Sequence, residues 1–199
     1  MAAFSEGRVH ANGVEFAYLE AGDPAAPLAL CLHGFPDTAH TWRHLLPELA
    51  AAGFRAVAPF MRGYAPTAVP ADGRYQSGVL GVDANALHEV LGGDGRAVVI
   101  GHDWGATAVY AAATLAPERW SKVVAMSVPT ANAVPVAFLT DPRQLKRSWY
   151  MFFFQSPLAD FIVPGNDMAV IDVLWADWSP GHDAAADLAL VTSRPTARR

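Results

Sequence analysis

The sequence predicts an α/β fold with a largely parallel sheet flanked by helices, and three observations carry that prediction. Short apolar runs alternate with helical stretches through the first 130 residues. The run Leu28-Ala29-Leu30-Cys31-Leu32 is apolar without interruption, as expected of a strand buried on both faces. Asn12-Gly13, the strongest two-residue hairpin signal, separates two strand-like runs ahead of it.

Residues 8–11 and 14–20 form the arms of that hairpin. A helix is predicted over 41–52, where Leu45, Leu46 and Leu49 share one side and Gly53 closes the last turn. Residues 54–58 read as a strand and 79–91 as a helix ended by Gly92-Gly93. Residues 97–101 are again a strand, 104–115 a helix that ends before Pro117, and 123–127 a further strand. A hairpin followed by this alternation implies parallel strands covered by helices on both sides. In such sheets the chemistry lies at the carboxyl ends of the strands.

The texture changes after Pro129. Asp141-Pro142 pairs an N-cap with proline at the first helical position, opening an aromatic helix over 143–155. A second helix over 166–178 sets Val170, Val173, Leu174 and Trp178 on one stripe. Trp149, Phe152, Phe153, Phe154, Trp175 and Trp178 supply more aromatic surface than two free helices need, so a lid over the sheet's active edge is expected. The organisation is therefore a sheet-forming core part over 1–130, a helical lid segment over 131–190 and an irregular tail over 191–199.

Composition excludes several classes. At 52% hydrophobic and 17% charged residues the chain is not mainly disordered. A net charge of −5 offers no basic footprint for nucleic acid. No apolar stretch of about 18 residues is present to span a membrane, and the start lacks the layout of a signal peptide, so a cytoplasmic location is expected. Cys31, the single cysteine, reads as a small buried hydrophobe with no metal-ligand partner at useful spacing.

The chemistry gathers in Val98-Val99-Ile100-Gly101-His102-Asp103-Trp104-Gly105-Ala106, which reads as strand, sharp turn and helix. This has the form of a nucleophile elbow, where small residues two positions either side let a central side chain rise above the sheet. The centre is Asp103, where an esterase would carry serine. A carboxylate suits displacement at a saturated carbon, giving an enzyme ester that activated water must hydrolyse. Strained epoxides and alkyl halides are the natural electrophiles. The bland alternative is a helix N-cap aspartate, which this position also suits.

A second motif, His33-Gly34-Phe35-Pro36-Asp37, follows the apolar strand directly. In this arrangement its loop supplies one backbone N–H of an oxyanion hole and the residue after the nucleophile supplies the other, making Phe35 and Trp104 the expected donors. Gly34 allows close approach and Pro36 fixes the loop, while His33 reads as a loop-shaping hydrogen-bonder.

His-Gly-Phe-Pro-Asp at 33–37, Met-Arg-Gly-Tyr at 61–64 and Gly-His-Asp-Trp-Gly-Ala at 101–106 together resemble the epoxide hydrolases of the α/β-hydrolase superfamily, over roughly residues 8–190. The resemblance implies the α/β-hydrolase fold, a small apolar epoxide and water as reactants, no cofactor, and hydrolysis to a diol, an ether-bond hydrolysis. Haloalkane dehalogenases share the elbow but usually carry asparagine where Phe35 stands, and fluoroacetate dehalogenases typically carry arginine at Trp104. The family opens the ring with lid tyrosines. One lies five residues before the glutamine of a Phe-Gln-x-Pro stretch, where this chain has Tyr150 ahead of Gln155. No tyrosine follows Tyr150 to serve as its usual partner.

The family also uses a histidine after its last strand and an acid after the strand before it. His10, His33, His40, His44, His88, His102 and His182 all lie elsewhere, and Val128-Pro129-Thr130-Ala131-Asn132 offers no carboxylate at the acid's alternative position. His182, in Ser179-Pro180-Gly181-His182-Asp183, reads as a turn residue. The expectation from sequence is thus a C-terminally truncated copy, its final strands missing, that begins the reaction and does not complete it. The alternatives are a haloalkane dehalogenase and a non-catalytic fragment or pseudo-enzyme.

Overall fold

A computed structural model describes residues 4–192. The chain divides into two compact units, Met1–Val128 and Pro129–Arg199.

The first unit is built on a six-stranded sheet of β1 (Ser5–Ala11), β2 (Val14–Ala21), β3 (Leu28–Leu32), β4 (Arg55–Pro59), β5 (Val98–His102) and β6 (Lys122–Met126). Their spatial order is β1-β2-β4-β3-β5-β6. The hairpin β1–β2 is antiparallel and pairs antiparallel to β4; β4, β3, β5 and β6 run parallel. Asn12 and Gly13 both take positive φ, as the two-residue hairpin turn requires.

Alternation along the central strands divides the core between two faces. Leu30, Leu32, Val57 and Val99 join Phe16, Leu80, Leu87, Val109 and Trp120 on one side. Cys31, Ala56, Ala58 and Ile100 join Leu19, Trp42, Leu46 and Phe60 on the other. Both faces of β3 are therefore dry, and each large side chain buried there contributes roughly 1.5–3 kcal/mol.

Helices α1 (Leu45–Ala51), α2 (Ser77–Val90) and α3 (Trp104–Leu115) follow β3, β4 and β5 in turn. A Cβ at Gly81 would collide with Ala111, so α2 and α3 meet with backbones close together. The helix expected over 41–52 begins instead as a 3-10 segment, Ala39–His44, whose start is capped by Thr38 accepting from the His40 N–H. A threonine side chain that turns back on its own backbone favours this tight start.

The second unit is helical: α4 (Ala133–Thr140), α5 (Pro142–Arg147), α6 (Trp149–Phe153), α7 (Ala159–Ile162), α8 (Ala169–Trp178) and α9 (Ala185–Thr192). The helix expected over 143–155 is broken at Ser148 (φ −97°, ψ 15°), which separates α5 from α6. The helix expected over 166–178 starts later, because Asn166, Asp167 and Met168 all take left-handed backbone angles ahead of α8. The tail expected over 191–199 is corrected at its start: Val191 and Thr192 complete α9, and 193–199 lie outside the described residues. Among the described residues no helix is long and apolar enough to cross a membrane.

Candidate active site

Asp103 stands between β5 and α3 with φ 53° and ψ −116°. A non-glycine residue held there stores about 1–3 kcal/mol of backbone strain, which the surroundings must over-determine. They do so through the main chain. The Asp103 N–H donates to the Met126 carbonyl (3.1 Å), and its own carbonyl accepts from the Ala106 N–H (2.9 Å) and the Thr107 N–H (3.3 Å).

The turn is crowded as the motif predicts, with one refinement. A Cβ at Gly101 would strike the Gly105 carbonyl, but one at Gly105 would strike the carbonyls of Leu32 and His33 at the end of β3. Gly105 thus serves the approach of α3 to the neighbouring strand. A Cβ at Gly34 would overlap the Asp103 side chain, so glycine there makes the room the carboxylate occupies.

The Asp103 side chain makes no hydrogen bond to the amides of the helix it precedes. Its Oδ1 instead accepts from the Phe35 N–H at 2.9 Å, across 68 positions of sequence. The carboxylate thus bonds the loop after β3 in place of a capping bond to α3. The other expected donor, the Trp104 N–H, is the first amide of α3 and has no intrahelical acceptor by construction.

The loop itself is a tight turn. The Phe35–Pro36 peptide is cis and the Asp37 N–H donates back to the Gly34 carbonyl at 3.1 Å, the form of a turn with cis-proline at its third position. His33, fully buried, lies inside it. Its Nδ1 is 3.0 Å from the Gly34 carbonyl and its Nε2 accepts from the Met61 N–H at 3.0 Å. Burial lowers its pKa to about 4, opposed by the bond to Gly34, so the ring is neutral at physiological pH.

Two neighbours come from the Met-Arg-Gly-Tyr motif at 61–64, whose sequence alone assigns them no role. Tyr64 stands edge-on to His33 with ring centroids 4.6 Å apart. Burial, then the carboxylates of Asp103 and Asp37, push its phenol up from the ordinary value. Arg62 is buried and grips Asp83 of α2 with two bonds, 2.6 Å from Nε and 2.8 Å from the second guanidinium nitrogen. It also reaches Asp72 at 3.0 Å, while Asn12 donates to Asp83. This network pins the loop after β4, from which Met61 bonds His33. Its only signal in the sequence was an arginine beside glycine in an otherwise apolar stretch.

Tyr150 belongs to the second unit, on α6. Its ring lies 4.7 Å from Trp178 and 6.3 Å from Phe154 by centroids. His182, in the same unit, is 3.0 Å from Asp187 through Nε2, and its ring stacks on Trp175. The turn expected there is therefore clipped to the start of α9.

Comparison with known proteins agrees on the architecture. A family model described as alpha/beta hydrolase fold matches residues 27–166. Epoxide hydrolase A of Mycobacterium tuberculosis is 36% identical over 203 residues, covering 98% of this chain and 62% of the relative. Human epoxide hydrolase 4 is 35% identical over 176 residues, covering 87% and 48%. The crystal structure of epoxide hydrolase A from Mycobacterium thermoresistibile superposes with a TM-score of 0.68 at 36% identity, covering 82% of this chain and 52% of that one. The chain thus spans roughly half to three-fifths of the length of these relatives.

Proposed function

The chain belongs to the α/β-hydrolase fold family, and from that premise we propose that it acts on small apolar epoxides, with Asp103 as the nucleophile. The single observation that supports this most is the bond from the Phe35 N–H to Asp103 Oδ1. One oxygen is held by the loop, and the other is left to attack a ring carbon from the rear. The attack breaks the carbon–oxygen bond of the ring and forms an ester between Asp103 and the substrate. The departing alkoxide needs a proton, and Tyr150 is the group proposed to give it. When water adds to the Asp103 ester carbonyl, the N–H groups of Phe35 and Trp104 stabilise the resulting oxyanion. Neither step calls for a cofactor.

A second reading, that the 199-residue chain forms the ester and does not hydrolyse it, has its own support. His33, the histidine within this loop, has both ring nitrogens engaged by the Gly34 carbonyl and the Met61 N–H. It has no nitrogen to spare for activating water.

The experiment is incubation of the purified chain with styrene oxide, followed by intact mass and peptide mapping. The expected result is one substrate added per chain, on the peptide containing Asp103, and none on D103N, where uptake falls by at least about a thousandfold. An adduct elsewhere, or none, overturns the nucleophile assignment. Release of halide from a haloalkane with no reaction of the epoxide would favour dehalogenation. Persistence of the ester supports the second reading, and repeated release of diol removes it.

A further inference from the structure

His33 is more than a filler of the turn. The Met61 nitrogen can only donate, so the His33 Nε2 facing it at 3.0 Å must be the bare, accepting nitrogen. The proton of the neutral ring is then on Nδ1, which donates to the Gly34 carbonyl at 3.0 Å. One tautomer alone satisfies both contacts.

The Gly34 carbonyl and the Phe35 N–H are the two ends of a single peptide group. The hydrogen bonds therefore run in series: His33 Nδ1–H to the Gly34 oxygen, through that peptide, and from the Phe35 N–H to Asp103 Oδ1. The Gly34 oxygen also accepts from the Asp37 N–H, so both its lone pairs are engaged. A carbonyl that accepts two bonds leaves its own N–H more positive, and such chains strengthen cooperatively in a dry interior. The ring is also locked in orientation, with Tyr64 edge-on to it and Met61 at its far nitrogen.

We propose that His33, as the Nδ1–H tautomer, is a positioning residue for Asp103: it turns and polarises the Gly34–Phe35 peptide so that the Phe35 N–H grips the carboxylate. The kinetic consequence rests on the reading of Asp103 as nucleophile; the tautomer and the peptide orientation do not. His33 exchanges no proton with substrate. Its influence reaches the reaction only through the amide between them.

Nitrogen NMR of the unmodified chain with labelled histidine reads the tautomer directly. A protonated Nδ1 and a bare Nε2 on His33 are expected, and the reverse overturns the proposal. Two variants then separate the bonds. In H33N the amide nitrogen stands where Nδ1 was and keeps the donor to Gly34. In H33Q the amide oxygen stands near Nε2 and keeps the acceptor for Met61. H33Q is expected to shift the Phe35 amide resonance and slow alkylation of Asp103 by styrene oxide about tenfold, the scale of one hydrogen bond. H33N is expected to retain most of both, even if the two variants unfold at similar temperatures. Losses that are equal in the two variants and follow stability alone overturn the positioning role. If unmodified protein takes up no epoxide, the nucleophile reading fails by itself, and the tautomer and the Phe35 resonance decide the positioning role.

Discussion

Asp103 and Tyr150 are held by different kinds of force. Around Asp103 the anchors are backbone groups: the Met126 carbonyl below, the Phe35 N–H in front and the first turn of α3 behind. Around Tyr150 they include aromatic rings, Phe154 and Trp178. At the centre of the first unit the large apolar side chains are almost completely buried, with Phe16, Leu19, Leu30 and Leu46 at 0–1% exposure. The second buries Ile171 and Leu174 but leaves Leu139 at 86% and Phe161 at 78%. A site written in main-chain hydrogen bonds tolerates little adjustment. One assembled from ring contacts can be re-spaced by side-chain rotation.

That contrast can be broken most forcefully at Arg62. Its guanidinium is wholly buried against Asp83, whose side chain is 5% exposed. D83A would leave the buried Arg62 cation with only the Asp72 carboxylate and the Arg74 carbonyl as partners and should cost about 3 kcal/mol in urea unfolding; a cost under about 1 kcal/mol would show the first unit to be far more adaptable than its packing implies.

Acid is the next largest perturbation, and it too acts on the first unit. The pKa of His33 is lowered from 6.5 to about 4 by burial. The unfolded chain therefore binds the proton first as pH falls. This contribution is complete above pH 6.5 and drains away down to about pH 4. The scale is about 3 kcal/mol, by linkage. Nitrogen shifts of His33 followed with pH should show the ring neutral at pH 5; a ring already protonated there would remove the prediction.

In the second unit the expected effects are on rate or are small. Y150F should slow alkylation of Asp103 by about a hundredfold, at the lower end for loss of a general acid, while leaving the unfolding midpoint near that of the unmodified chain. Unchanged alkylation would take Tyr150 out of the mechanism. F161A should alter stability by less than about 0.5 kcal/mol, because its ring is already largely in water. A larger loss would mean that the apolar surface of this unit is covered in solution.

The sequence was most legible where punctuation and burial agreed. The strand β3 runs over Leu28–Leu32 and the helix α3 over Trp104–Leu115 as read, because an unbroken apolar run and a glycine-framed turn each permit one conformation. The elbow and the glycine-bearing loop after β3 were visible for the same reason: close approach of backbones demands glycine, and it leaves a pattern. The strand order was not legible, since pairing β2 against β4 rather than β3 depends on contacts between distant segments. The Arg62–Asp83 bond joins residues that no local period connects. In the second unit helical propensity was legible and helical continuity was not. Ser148 divides one helix, the left-handed run at Asn166–Met168 delays another, and α4 was not foreseen, with Pro135 among its first residues.

The bond from the Asp103 N–H to the Met126 carbonyl has one more consequence. It carries the ladder between β5 and β6 one rung beyond the paired residues His102 and Met126, into the turn itself. Asp103 is thereby moored to β6, the edge strand among the described residues, where Val123 and Val124 stand half in solvent. Anything that stiffens, frays or covers that edge works on the proposed nucleophile like a hand on a tuning peg, through a single main-chain bond.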